Sequence, residues 1–480
     1  MIFIACKIYN SVMKYCSVKL LFLILAGLII FFAGNVPIYS EVINVNTYAG
    51  RITKGEDHRI NWEWWEKFND PLLLDILHQS INNNFDLQIA DLKTKEAENY
   101  SNSAKRDYLP SVQLGAGYRY AKYSNLTPYG QTIDYNKENS KKHLIILPLQ
   151  VSYELDFWGK NRTNLDYFLE NKDYYEFEKN FITLSTLTEV ASLYFNILNN
   201  EKLISLYEEL YGLKKEKLSI AREKFMLELV PKPDVLLAEK ELKLSEENLI
   251  LLKALNGDLK NQLSLLVFGD KEKTPINFKD IDDISLFYDT DLEISTEKIA
   301  YRPDILMAEK QIKMAKLDAD AVRKSFLPSF AITGDLFQIT DLFDDFFNTK
   351  SIRYRAGAGI LYNLFNKGKN IAELRGKKNI YEQMLKNYEK TIVSSINDVN
   401  NSLYYLKSSM KNLERTKEIS GLDRESLDIQ QQKLDMDLIT YNDYIETREK
   451  LINSRIQEYK SRTEYLIHTL SLYKALGGNV

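Results

Sequence analysis

The sequence predicts an α+β chain in which long antiparallel coiled-coil helices carry four β-strands. Three observations lead there. One unit is present twice, with its parts in the same order. Each copy holds two segments that alternate apolar and polar residues at the period of a strand. Each copy also holds a long proline-free stretch whose apolar residues recur at coiled-coil spacing.

In chain order, the first feature is an apolar run from Leu20 to Phe32, preceded by Lys14 and Lys19 and followed by small and polar residues up to Ser40. Residues 1–40 read as a secretory signal peptide, with Met13 the more usual start; an uncleaved anchor helix is the alternative. Cleavage removes Lys7, Lys14 and Lys19 and leaves 60 basic against 67 acidic residues. It also removes Cys6 and Cys16, so the exported chain needs no disulfide. No later segment reads as apolar enough to cross a bilayer as a helix. A membrane crossing would therefore take a β-barrel.

The repeat comes next. Asp107–Ser111 matches Ser325–Ser329 at an offset of 218, and Asp86, Leu87 and Ala90 match Asp304, Ile305 and Ala308 at the same offset. Tyr153, Leu155, Gly159, Lys160 and Asn161 match Tyr362, Leu364, Gly368, Lys369 and Asn370 at 209, as Asp234 matches Asp443. One loop absorbs the difference. The chain thus divides into an N-terminal segment, 41–70, a first repeat, 71–290, and a second, 291–480. Each repeat reads as helix, strand, loop, strand, very long helix, tip turn, helix.

Strands are predicted at 112–123, 143–157, 329–338 and 352–365. In the second, Leu147, Leu149, Val151, Tyr153, Leu155 and Phe157 alternate with Pro148, Gln150, Ser152, Glu154 and Asp156. In the last, Ile352, Tyr354, Ala356, Ala358 and Ile360 share a face, with Arg353 and Arg355 opposite. A half-buried soluble sheet alternates in the same way. Tyrosine at strand ends and charge on the other face fit a barrel with lipid outside and water inside. Four strands cannot close such a barrel. Two chains would supply eight and three would supply twelve, and an aqueous passage favours the larger ring.

The helices carry the stronger signal. Residues 149–230 and 329–480 contain no proline. Ile392, Ile396, Val399, Leu403, Leu406, Met410 and Leu413 recur at coiled-coil spacing, as do Ile452, Ile456, Tyr459, Thr463, Leu466, Leu470 and Tyr473. A helix from Ile371 to Leu434 would be roughly 95 Å long at 1.5 Å per residue. The tip turns fall at 226–232 and 435–441.

Enzyme chemistry finds no foothold. His58, His78, His143 and His468 are scattered without metal-ligand spacing, and no phosphate loop, dinucleotide fingerprint or nucleophile elbow is present. No metal, cofactor or catalytic residue is expected. The chain carries 63 Lys and Arg against 67 Asp and Glu, which indicates no nucleic-acid partner.

Several motifs together resemble the outer-membrane factor family, the TolC-like, NodT-type branch that serves resistance-nodulation-division efflux pumps. They are Trp64-Trp65 through Asp70-Pro71-Leu72, Tyr153 to Lys160, Arg302-Pro303-Asp304-Ile305 with Ala308-Glu309, Phe326 to Ser329, and Leu472 to Gly478. The resemblance covers nearly the whole exported chain. It implies a homotrimer with a 12-stranded transmembrane β-barrel in the outer membrane, in contact with its lipid. It also implies an α-helical tunnel into the periplasm, docked to a periplasmic adaptor and through it to an inner-membrane pump. Drugs and small toxic compounds pass through passively. The alternatives are an outer-membrane duct of a type I protein secretion system and a periplasmic coiled-coil scaffold without a pore. Many members of the branch are lipoproteins, but Ile4-Ala5-Cys6 follows no apolar run, so no lipid anchor is expected.

The resemblance also implies site residues. Tyr441, Ile445 and Arg448 match the family's constriction at the tip, although Ile445 replaces the usual acid. Closure would then rest on Tyr441 with Asp437 or Asp443. Glu228 and Met436 stand where the family often has a tip glycine. Gly159 and Gly368 are expected to swing the chain from strand to helix. Trp62, Trp64 and Trp65 are expected to pack along the equator of the helical barrel. Arg302 and Asp304 allow a salt-bridged helix start, although the helix dipole alone suffices to explain Asp304.

Overall fold

The computed structural model describes residues 61–122, 141–269, 276–287, 299–340, 348–366 and 368–478. All lie in one compact unit, His58–Val480. The predicted signal peptide, most of the 41–70 segment and the greater part of both inter-strand loops lie outside the described residues.

Helix α1 (Trp62–Glu66) is short; Trp64 and Trp65 are core, and the partly buried Trp62 packs against that core. The Trp64 ring stacks on Tyr473 at 3.9 Å between centroids, and Trp65 donates its indole N–H to the Tyr473 hydroxyl at 3.2 Å. Helix α2 (Pro71–Asn83) begins where Asp70 accepts the N–H of Leu72, with Pro71 in the first turn, where a missing N–H costs nothing. The buried Asp70 carboxylate also accepts the Tyr194 hydroxyl at 2.5 Å. Helix α3 (Phe85–Arg106) is capped by Asn84. The tryptophans, Asp70 and the C-terminal Tyr473 thus form one knot.

Strand β1 (Ser111–Leu114) and strand β2 (Gly117–Lys122) correct the single predicted strand 112–123. Both pair with β3 (Lys141–Leu155), and Pro148 of β3 stands opposite the gap. Gly115 donates its N–H to the Pro148 carbonyl at 2.8 Å, but proline has no N–H to return. A Cβ at Gly115 would meet the Pro148 ring at 3.1 Å, so proline and glycine are matched. Strand β4 (Ser329–Thr340) pairs with β3 and with β5 (Ile352–Leu361), which completes an antiparallel sheet. In register, Val112, Val151 and Gly334 share one face, as do Leu149, Leu336 and Tyr354; Gln150, Asp335 and Arg355 share the other. Among the described residues, the β1/β2 edge and the β5 edge are both unpaired.

Two predicted strands end early, at Leu155 rather than 157 and at Leu361 rather than 365. After β3 the Asp156 carboxylate accepts the N–H groups of Asn161 and Arg162 at 3.0 Å each, which starts a helix. Gly159 (φ 70°) and Gly368 (φ 73°) precede the long helices in the left-handed region, which a side chain would strain.

Helix α4 (Lys160–Met226) and helix α5 (Lys232–Phe268) form one hairpin; helix α7 (Lys369–Asp435) and helix α8 (Tyr441–Ala475) form the other. Helix α6 (Pro303–Lys324) precedes β4. At about 1.5 Å per residue, α4 and α7 each run roughly 100 Å. Contrary to the expectation from sequence, part of α4 is long and apolar enough to cross a membrane. That stretch is mostly buried, because Leu184, Leu187, Val190, Ala191, Tyr194 and Leu198 are core positions.

The dipole account of Asp304 is incomplete. Arg302 is buried and forks onto Asp304 at 3.0 and 2.8 Å while donating to the Ala475 carbonyl at 2.7 Å. Arg302-Pro303-Asp304 therefore starts α6 and fastens the end of α8 together.

Candidate functional site

The two tip turns have the same backbone. In the first, Leu229 donates to the Lys224 carbonyl at 2.9 Å and Glu228 to Phe225 at 3.0 Å. In the second, Leu438 donates to Lys433 and Asp437 to Leu434, both at 2.9 Å. This pair of bonds places the residue after the helix cap in the left-handed region. Those residues are Glu228 (φ 55°) and Asp437 (φ 57°). The glycine-like place in the second tip is thus Asp437 and not Met436, whose φ is −97°.

The helix starts differ. Tip one uses Pro231 and Pro233, which themselves carry no N–H to satisfy. Tip two uses a capping box. Asp443 donates its N–H to the Thr440 hydroxyl at 3.3 Å, and its carboxylate accepts the Thr440 hydroxyl at 2.7 Å and N–H at 3.0 Å. The Thr440 bonds hold the Asp443 carboxyl below its ordinary range. Its carboxylate is engaged in the cap.

Past the cap, α8 is latched to α4. Tyr441 donates its hydroxyl to Glu216 at 2.8 Å, and that carboxylate pushes the phenol pKa up. Arg448 donates through Nε and Nη2 to one oxygen of Glu209, at 3.1 and 2.7 Å, which holds the guanidinium above its ordinary range. Deeper, Lys214 of α4 donates to Glu241 of α5 and Glu449 of α8, both at 2.8 Å. Burial alone would lower the Lys214 pKa; the two carboxylates outweigh it and raise it.

Ile445 is fully buried in the core cluster with Leu206, Leu210 and Leu213 of α4. Among the constriction positions it is therefore corrected to a packing residue. It lies one heptad before Ile452, so the α8 seam simply extends to it. Sequence reading missed Glu209 and Glu216. Their spacing of seven equals that of Tyr441 and Arg448, which places each pair on one helix face. Met226, Leu227, Leu229, Met436 and Leu438 stand exposed at the tips. The arrangement is a set of polar bonds between two hairpins near their tips, suited to holding and releasing helices.

A family model described as outer membrane efflux protein matches residues 76–266 and 295–478. The chain is 24% identical over 431 residues to the pyoverdine export outer membrane protein OpmQ of Pseudomonas aeruginosa, covering 87% of each. It is 25% identical to a probable outer membrane lipoprotein, SilC, of Salmonella typhimurium, over 86% of this chain and 87% of that one. Its fold matches the crystal structure of the CmeC outer membrane channel of Campylobacter jejuni, with a TM-score of 0.75 at 21% identity. That match covers 90% of this chain and 91% of that chain.

Proposed function

The chain belongs to the outer membrane efflux protein family, and we propose that it is the outer-membrane channel subunit of a tripartite efflux pump. In this reading it is a passive exit duct for drugs and small toxic compounds. A periplasmic adaptor links it to the inner-membrane pump that supplies the energy.

The observation that carries the assembly is a broken symmetry between the hairpins. Leu184, Leu187, Leu210 and Leu213 of α4 are buried in the cluster that holds Ile445 of α8. The offset of 209 carries them to Val393, Ile396, Ile419 and Leu422 of α7, and Ile445 to Leu236 of α5; all five are exposed. In a ring, α5 of one copy packs on α7 of the next and repeats the α4–α8 seam. The same head-to-tail contact joins the free β5 edge to the free β1/β2 edge. Three copies close a 12-stranded barrel, with the helices continuing as a tunnel into the periplasm.

The entrance lies at the tips, gated by Tyr441 and Arg448 with Asp437 at the turn. Asp443 shapes the gate as a cap. At the seam between copies, the offset puts Glu239 and Glu418 in the places of Arg448 and Glu209, and two carboxylates repel. The same offset keeps opposite charges at Lys232 with Glu425 and at Lys240 with Asp423, so the seam between copies lacks only the counterpart of the Arg448 latch, and the entrance opens at that level.

Single-channel conductance in planar bilayers, beside native mass, tests this. Discrete openings from a trimer support the duct. A monomer that never enters bilayers overturns it.

A further inference from the structure

We infer that the junction between sheet and helices is a collar for the phosphate headgroups of anionic phospholipids, an inference that rests on the proposed outer-membrane placement of the sheet. The strand pairs Ser111 with Ser152, Leu155 with Phe330 and Ser329 with Leu361 define one rim, where the chain passes between sheet and helices. Trp158 donates its indole N–H to the Pro328 carbonyl at 2.7 Å, and Lys324 reaches the Gly159 carbonyl at 2.9 Å, which fastens two crossings together.

The apolar face of the sheet runs on past the strands into exposed rings. Phe157 lies 4.8 Å from Trp158 and 5.3 Å from Phe330. Leu364 and Phe365 are 84% and 83% exposed. Large amphipathic and aromatic groups at the end of a lipid-facing surface sit at headgroup level.

Beside these rings stand Arg106 at the end of α3, Lys160 and Arg162 at the start of α4, and Lys369 at the start of α7. All four are exposed, and none has a carboxylate within ion-pair distance among the described residues. Further along the helices the pattern reverses: Lys93 pairs with Glu178, Lys310 with Glu170 and Lys377 with Asp318. The nearby Asp156 is engaged in capping α4. Asp156 offsets the dipole of α4, whereas α7 has no acid in its first turn and no side-chain cap, so its dipole adds to the positive charge. The chain leaves these four cationic side chains without an ion pair, among the described residues, at the level of its exposed aromatics, where a phospholipid leaflet carries phosphate.

The test uses the full chain in bilayers containing brominated phosphatidylglycerol or phosphatidylcholine, with tryptophan quenching as readout. Trp64 and Trp65 are buried, and Trp158→Phe identifies the rim signal. The wild type should select phosphatidylglycerol on the order of tenfold, a preference that falls with salt. The variant Arg106→Gln, Lys160→Gln, Arg162→Gln, Lys369→Gln should lose it while keeping its native mass. Equal quenching by both lipids, a salt-insensitive preference, or one that survives in the variant overturns the collar and leaves the channel reading standing. Competition by inorganic phosphate at matched ionic strength would mark a free-anion site and also overturn it. No Trp158-dependent quenching by either lipid sinks the membrane placement of the sheet itself.

Discussion

The hairpins α4–α5 and α7–α8 repeat one backbone and differ in what their faces touch. Both tips close with the same pair of hydrogen bonds and the same left-handed residue. Yet Ile445 is buried and its counterpart Leu236 is 55% exposed, and Tyr459 is 6% exposed where Ile250 is 62%. Duplication copied the fold of the hairpin. Within one chain only one of two equivalent seams can form, so the other is left for a neighbour.

The largest expected effect separates those seams. Ile445→Ala should destabilise the solubilised monomer by about 2–4 kcal/mol, the cost of a buried cavity. Leu236→Ala should cost less than about 0.5 kcal/mol there, but should lower the thermal midpoint of the assembled oligomer. Equal costs in the monomer would break the comparison.

The latch comes next. Tyr441→Phe combined with Arg448→Ala removes charge-assisted bonds worth roughly 1 kcal/mol each after allowance for solvent screening. Channel open probability should rise about thirtyfold, since roughly 2 kcal/mol is lost and 1.4 kcal/mol is a factor of ten. The matched change Lys232→Ala in the other hairpin should move it far less. No difference between the two in single-channel records would remove the latch from α8.

Acid should then distinguish the helix starts. The Asp443 carboxyl is held below its ordinary 3.8, so its cap contributes stability above that pH and loses it as pH falls through the lowered value. Tip one starts on prolines, which do not titrate. Hydrogen exchange should show α8 fraying at its start before α5 does. The Lys214 link is bounded on both sides. Glu241 is lowered from 4.5, so its contribution is lost on acidification; Lys214 is raised from 10.5, so its contribution is lost only above that.

The smallest effect is at the turns. Glycine relieves left-handed strain, and aspartate tolerates that region better than glutamate. Glu228→Gly should therefore raise the thermal midpoint by the equivalent of about 0.5–1 kcal/mol, and Asp437→Gly by less. The reverse order would mean that Glu228 makes a contact in the oligomer.

Much of the candidate site was legible in sequence, and its limits are instructive. The tip turns were legible through proline and helix period, and motif position singles out Tyr441 and Arg448, whose gating role is proposed. Ile445 was misread because it was weighed as a motif position rather than as the next step of the seam that starts at Ile452. Glu209 and Glu216 were missed because a partner acid on a distant helix has no local signature. The split of the first strand had one too, in Pro148, but only the register shows that Gly115 stands opposite it.

The sequence by itself determined the duplicated unit, the strand faces and the long helices, because period and proline act over neighbouring residues. Tertiary structure alone decided which copy of each seam is buried, where the sheet leaves its free edges, and that Arg302 reaches across 173 residues to the Ala475 carbonyl. These depend on which helix face meets which. Two halves with the same local pattern cannot specify that choice until they pack against each other.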